Sequence, residues 1–385
     1  MARRTVEIAG AGLAGLSIAV RLAQLGWHVR LHERGKDLRM FGAGIWLWEN
    51  GLKSLQILGA YEQTVKRAKA IKEWRVADGA GNILMARHCT PDDKLLLPPR
   101  ADLYQALIDR AVELGVDIET SSVAVGARPE GVLLMEDGRE LKADLVIAAD
   151  GAYSRVRESC YCTSSMDYGS EAGIRMLIDW HPSDPEDICT EYWQGPWRLL
   201  FNPCTDSHNY IFLSAPVLDE RSRQMPIDRD LWAKMLPHAK DLIDRCTEAD
   251  GARWDRIVNV RCHRWSEGKV AVIGDAAHAM PPNLGQAANM AFTNAMSLAL
   301  LVTESQDVPD ALARWERKQR PLTDHVQWFS YIYGLLMAKT PTSMLPLRSD
   351  LVRGMAKTEW FEWALNRGAR TVPDGYEPSM APASA

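Results

Sequence analysis

Gly10-Ala11-Gly12-Leu13-Ala14-Gly15 sets three glycines at the spacing of a phosphate-binding turn, and Glu33-Arg34 closes the next apolar run. The first glycine allows a tight turn, the second lets a pyrophosphate approach the backbone, and the third lets a helix pack on a strand. An acidic residue at Glu33 suits a ribose hydroxyl. A second acidic turn, Gly274-Asp275, lies far along the chain behind the apolar run Val270 to Ile273, with Pro281-Pro282 and a run of small residues after it. A carboxylate delivered by the end of a buried strand stands where open α/β sheets bind ligands. A third, Asp150-Gly151, follows Asp144 to Ala149. Arg198 and Tyr210 sit in two strand-like segments, one a cation suited to a carboxylate, nitro group or phenolate, the other a hydroxyl donor.

These residues need elements to hold them. Thr5 to Ala9 reads as a strand, Leu13 to Leu25 as a helix closed by Gly26, and His28 to His32 as a second strand, which together make a β-α-β unit. Leu103 to Leu114 predicts a helix and Val116 to Glu119 a strand. Gly131 to Leu134 and Glu140 to Lys142 flank an Asp137-Gly138 hairpin turn. After about residue 170, strand-like segments at Ile174 to Trp180, Thr190 to Trp193, Arg198 to Phe201 and Tyr210 to Ser214 cluster without helices, as in an antiparallel sheet. A helix is expected at Arg229 to Met235, then two more at Pro309 to Arg320 and Asp324 to Met337, with the last fifteen residues frayed.

The expected fold is α/β: a Rossmann-like nucleotide-binding domain in segments, an inserted antiparallel sheet and a helical C-terminus. The expected boundaries are 1–70, 95–170 and 256–320 for the nucleotide-binding segments, 71–94 and 171–255 for the sheet domain, and 321–385 for the helical region and tail. One dinucleotide can span the two distant turns, its adenosine end at Gly10 and its other end at Asp275. The glycine turn by itself serves FAD and NAD alike.

With 385 residues, 46% apolar, the chain can bury one large core or two intimate ones. A net charge of −5 without a basic block speaks against a nucleic-acid partner, and no apolar run reaches the ~18 residues of a membrane helix. Met1-Ala2-Arg3-Arg4 leads straight into a strand, so no signal peptide is expected. Seven scattered cysteines, an odd number, argue against a disulfide framework, and Cys160-Tyr161-Cys162 lacks a second pair to hold a metal. A cytoplasmic, metal-free protein is the expectation.

Taken in order, the fingerprint Gly10 to Gly15, the Asp150-Gly151 motif and Gly274-Asp275-Ala276-Ala277-His278 resemble the single-component FAD-dependent aromatic hydroxylases of the para-hydroxybenzoate hydroxylase type over nearly the whole chain. The resemblance implies FAD contacts at Gly10, Gly12, Ala14, Gly15, Glu33, Arg34, Arg100 and Asp150, and at Gly274, Asp275, Gly285 and Ala287. Phe41-Gly42-Ala43-Gly44-Ile45 matches the loop beside the flavin. Ala287 stands where the family usually has glycine, and His278 is a structural histidine there. Within the family, the stretches Gly42 to Leu52 and Arg198 to Cys204, with Tyr210, look most like hydroxypyridine-carboxylate oxygenases, and para-nitrophenol monooxygenases look similar.

That resemblance implies an NADH- or NADPH-dependent monooxygenase in which reduced FAD and oxygen form a C4a-hydroperoxide that hydroxylates a small aromatic ring. A hydroxypyridine carboxylate is the favoured substrate, held by Arg198 and Tyr210 with Trp74 facing the same pocket. Trp46 and Trp48 fall in the flavin-side loop. A para-substituted phenol losing its substituent is the first alternative, and an oxygen-independent flavin reductase or a redox-sensing flavoprotein the others. A monomer or homodimer is expected.

Overall fold

Apolar runs more than a hundred residues apart assemble one parallel sheet. In the computed structural model, which describes residues 3–38, 43–160, 162, 164–247 and 252–381, strand Thr5–Ala9 lies between Leu145–Ala148 and His28–His32. Val6 aligns with Leu145 on one side and Val29 on the other. Val270–Val272 and Asp117–Glu119 extend the sheet in parallel, and Ser266–Glu267 caps it in antiparallel sense. Leu145–Ala148 is wholly buried, as a strand covered on both faces must be. The covering helices include Leu13–Gln24, with Arg100–Glu113 and Ala287–Glu304 packed against it.

A second sheet has seven strands, in the order Arg253–Cys262, Ser164–Asp179, His208–Pro216, Trp197–Pro203, Ile188–Gln194, Glu73–Asp78 and Ile83–His88. All its pairs are antiparallel except Glu73–Asp78 with Ile188–Gln194. Side chains alternate across the pleat. Ile174, Met176, Leu199, Phe201, Ile211 and Leu213 form one face and pack on Trp232 of helix Arg229–Met235. The opposite face carries Arg175, Arg198, Leu200, Tyr210 and Phe212 and closes the site described below. Arg253–Cys262 runs across the expected boundary at 255/256, and its partner Ser164–Asp179 across that at 170/171. Ala124–Arg128, a strand with no clear alternation in its sequence, joins the hairpin Val132–Met135 and Glu140–Lys142 in a small third sheet.

The C-terminal region departs from expectation. One helix, Val308–Ala338, runs through Pro321 where two helices were expected. Proline deletes one backbone donor, but contacts on both sides hold the axis. Arg320 donates to Cys262 O at 2.5 Å and His263 O at 2.8 Å, and Gln327 Nε2 donates to Val260 O at 2.6 Å. The expected fraying over the last fifteen residues is not seen in the described part of that stretch. Asp374 pairs with Lys318 at 2.6 Å and Tyr376 lies under the Lys53 ammonium, while residues 382–385 lie outside those described. Helix Arg100–Glu113 begins three residues before the expected Leu103, because Arg100 N–H donates to Ala43 O at 2.8 Å.

Candidate active site

The glycine turn is built as its spacing requires at two positions and open at the third. Gly10 has φ +98°, its N–H donates to His32 O at 2.7 Å, and a Cβ there would lie 2.5 Å from Ala149 O. A Cβ on Gly15 would lie 1.9 Å from Gly10 O, so the helix rests directly on the turn. Gly12, the residue before the first helical turn, would meet nothing within 4 Å among the described residues. That open front, at a helix N-terminus, is where an anion is favoured. Glu33 accepts from Ala11 N–H at 3.0 Å and from Gly35 N–H at 2.8 Å. Glu33, Arg34, Gly10, Gly12, Asp150 and Gly151 line a cavity of about 270 Å³. The Asp150 carboxyl is engaged by its own turn, accepting from Ser154 Oγ at 2.5 Å and Val156 N–H at 3.3 Å, and burial raises it.

A larger cavity of about 380 Å³ shares Gly12, Ala149 and Gly151 with the first and extends past Asp275 to Asn283. Gly274, at φ +58°, lies so near the glycine turn that a Cβ on it would stand 2.5 Å from Ala14 Cβ. The next residue, Asp275, opens a one-turn helix and is exposed at the cavity. Burial raises its carboxyl, and the guanidiniums of Arg100 and Arg175 oppose that rise. Arg100 is pushed down by burial and by Arg175, with Asp275 opposing, and its Nε has no partner among the described residues. Gly285, Ala287 and Gly44 line the same cavity, whereas Phe41 and Gly42 of the expected flavin loop lie outside the described residues.

The seven-stranded sheet supplies the opposite wall. Tyr210 lies against Gly44, where a Cβ would come within 2.8 Å of its ring. Burial raises the Tyr210 hydroxyl, and Arg175, Arg100 and Arg198 oppose the rise. Trp46 reaches the cavity with its Nε1–H donated to Asn202 Oδ1 at 2.7 Å. Asn289 ties this tryptophan loop to helix Ala287–Glu304: its Nδ2 donates to Trp46 O at 3.0 Å and Gly285 O at 2.8 Å, and its Oδ1 accepts from Trp48 N–H at 3.2 Å.

Arg198 reaches the cavity but is already matched. It is 1% exposed, donates from Nη1 to Asn283 Oδ1 at 2.6 Å, and stands with Nε 2.6 Å from Glu191 Oε1. That second contact is a charge pair by distance but lies off the hydrogen-bond line, which leaves Nε without an aligned acceptor. Glu191, 0% exposed, also accepts from Trp193 Nε1–H at 2.5 Å and from the Tyr333 hydroxyl at 3.1 Å. Arg198, expected to hold the substrate, thus reaches the cavity with Glu191 and Asn283 already engaged on it. Trp74 is corrected: it does not line the cavity but sits behind Trp46, edge-on at 5.1 Å. His278, absent from both cavity walls, bonds Asn294 Nδ2 through its Nε2 at 3.1 Å, and burial lowers it to about 4, so it stays neutral.

Arg175, Glu191 and Asn283 were missed as site residues. Arg175 had a signal, since it interrupts Ile174, Met176 and Ile178 with the period of two that turns a charge to the other face. Asn283 lies inside the Pro-rich stretch after Asp275. Glu191 had none, because a lone acid between Thr190 and Tyr192 reads as a solvated strand position.

Two cavities that share wall residues, one at a glycine turn and helix N-terminus, the other between the Asp275 carboxylate and a sheet carrying Tyr210, fit a flavoprotein. Gly12, the Asp275 carboxylate and the unsatisfied Arg100 Nε fit FAD. The chain belongs to the FAD binding domain family, whose family model matches residues 3–327. It is 35% identical to a probable 2-heptyl-3-hydroxy-4(1H)-quinolone synthase of Rhodococcus erythropolis, over 87% of this chain and 89% of that one. It is also 35% identical to a 2-heptyl-3-hydroxy-4(1H)-quinolone synthase of Mycobacteroides abscessus, over 90% of this chain and 94% of that one. The tetrameric form of 2-methyl-3-hydroxypyridine-5-carboxylic acid oxygenase superposes with a TM-score of 0.84 at 34% identity, covering 96% of each chain. The chain is an FAD-dependent aromatic monooxygenase. No helix among the described residues is long and apolar enough to cross a membrane.

Proposed function

We propose that the chain hydroxylates an oxygen-bearing nitrogen heteroaromatic ring, of hydroxypyridine or 4-quinolone type, at the expense of NADH or NADPH and molecular oxygen. The observation that carries this reading is the cavity that Asn283, Tyr210, Phe212 and Leu200 line together with Asp275. The relatives' names support the ring class, since both the quinolone and the hydroxypyridine are oxygenated nitrogen heterocycles. FAD, when bound, supplies the oxygen-transfer chemistry.

The chain's own residues do the rest. Gly12 admits the pyrophosphate, and Asp275 accepts from the ribityl hydroxyls. Arg100 offers its unmet Nε, and Ala287 and Ala288 lie at the N-terminus of a long helix, whose positive end favours electron-rich ring edges. Tyr210, its hydroxyl raised by burial, stays protonated and can donate to a ring oxygen. Trp46, Leu200, Phe212 and Ile257 give the slot apolar sides that exclude water.

The test is a screen of FAD-loaded protein for ring-stimulated NADH and NADPH oxidation, with oxygen uptake and product mass measured. A 3-hydroxypyridine, 4-hydroxyquinoline and 4-nitrophenol are the probes. A heteroaromatic product heavier by one oxygen is expected. Nitrite release from the phenol alone, or ring reduction without oxygen uptake, would overturn the reading.

A further inference from the structure

The charge pair behind the ring slot was not part of the reasons for placing a ring there, yet it constrains which ring fits. Arg198 is the innermost guanidinium on the slot, and Glu191 lies against it with no exposed surface. Trp193 Nε1–H and the Tyr333 hydroxyl donate to the two oxygens of Glu191, and Arg198 stands beside them as its charge partner. On its other side Arg198 is bound to Asn283, and Asn283 is held in turn by donating Nδ2 to Ser330 O at 2.8 Å. A carboxylated ring reaching for Arg198 would share one buried guanidinium with Glu191, beside the Asn283 already bound at Nη1. Two carboxylates on one buried cation leave a net negative charge out of water.

The other cations of the wall do not offer an easier seat. Arg175 Nη1 lies 3.6 Å from Asp255 Oδ2, with its guanidinium over the Phe212 ring at 5.1 Å. Arg100 is on the Asp275 side, where the flavin is placed, and Arg256 lines the cavity from a solvent-exposed position three strands from Arg198 in the sheet, where water screens its charge. Glu171, buried beside the pair and accepting from Ser214 Oγ at 3.2 Å, adds a further acid rather than a cation.

We infer that Glu191 is a specificity-determining residue: by neutralising Arg198 from behind, it makes the slot select an uncharged oxygenated heteroaromatic ring and reject the same ring bearing a carboxylate. This rests on the ring-site reading above and narrows its substrate class. Glu191 does not touch the slot, so it acts through Arg198 as a positioning and charge-setting residue. Rejection here is achieved by a repulsive element rather than by a missing contact.

The test is equilibrium binding to the FAD-loaded protein, read by the change in flavin absorbance, with 4-hydroxyquinoline and its 2-carboxylate as matched probes. The unaltered protein should bind the uncharged ring about tenfold or more tighter. Glu191→Gln, which keeps the shape and removes the charge, should shift the ratio of the two Kd values toward the carboxylate by about tenfold or more, with the Kd of the uncharged ring nearly unchanged. A merely structural Glu191 would move both constants together. Should Glu191→Gln fail to hold FAD, the double variant Glu191→Gln with Arg198→Gln removes both charges and should keep the original preference. A carboxylate that binds the unaltered protein as well as the uncharged ring overturns the inference while leaving the ring site standing. So does a ratio unmoved in Glu191→Gln, or a double variant that comes to prefer the acid. If neither ring perturbs the flavin in any of these proteins, the ring-site reading falls and the inference falls with it.

Discussion

Ala14 and Gly274 touch across two turns that are 260 residues apart, and a Cβ placed on Gly274 would lie 2.5 Å from the Cβ of Ala14. That contact sets the distance between the phosphate turn and the Asp275 carboxylate. Gly274 also has φ +58° with ψ −142°, a region essentially reserved for glycine that costs other residues roughly 1–3 kcal/mol. Gly274→Ala should therefore lower stability and FAD retention together. Thermal unfolding of the apoprotein and the flavin content on purification would show both, and an apoprotein with unchanged stability would count against the contact.

Gly12→Ala should behave in the opposite way. Its φ is −73° and its Cβ would meet no described atom within 4 Å, so the apoprotein should unfold at nearly the same temperature. FAD affinity should fall, because the added methyl enters the space the pyrophosphate needs. Equal losses of apoprotein stability and FAD affinity would contradict the open front.

Asp275→Asn keeps the size of the side chain and removes its charge. It should weaken FAD by about 1–3 kcal/mol through the loss of a charged acceptor to ribityl hydroxyls. The apoprotein should tolerate the change, because Asp275 is exposed at the open cavity. Titration of apoprotein with FAD gives the first number, and full, tight retention of FAD by the variant would remove Asp275 from the flavin site.

Glu171 is raised by burial from an ordinary 4.5 to about 7. The folded chain thus keeps a proton that the unfolded chain has released between these two pH values. Folding stability from this group is full below about pH 4.5, is lost as pH rises to 7, and stays lost above it. Glu171→Gln mimics the protonated form, so it should be near neutral at pH 5 and stabilising at pH 8, with the gap between variant and parent widening by about 1–3 kcal/mol. Denaturant midpoints at the two pH values check this, and a gap that narrows with pH would show the sign to be wrong.

The parallel sheet and its glycine turn were legible because burial on two faces and a tight turn leave local marks: Thr5–Ala9 and His28–His32 fall where their apolar runs put them. The strand Arg253–Cys262 was not seen, since Arg253, Asp255, Arg256 and Arg261 break its alternation, and its pairing partners are 78 to 98 residues away. The flavin side of the site was readable in motif order. The sheet side was only half readable. Arg198 could be named from its type and place, but whether its charge was spent depended on Glu191 and on Tyr333, which arrives from the C-terminal helix. Pro321 misled for a related reason, because a local helix-breaking signal was outweighed by contacts to Cys262 and His263 that no local stretch reveals.

The unbroken course of Val308–Ala338 sets where this catalyst truly ends. The family match stops at residue 327, yet Ser330 anchors Asn283 and Tyr333 anchors Glu191 from the turns just beyond it. A chain trimmed to the matched span would keep every flavin motif, and Glu191, Arg198 and Asn283 with them, while losing the two groups that seat Asn283 and Glu191.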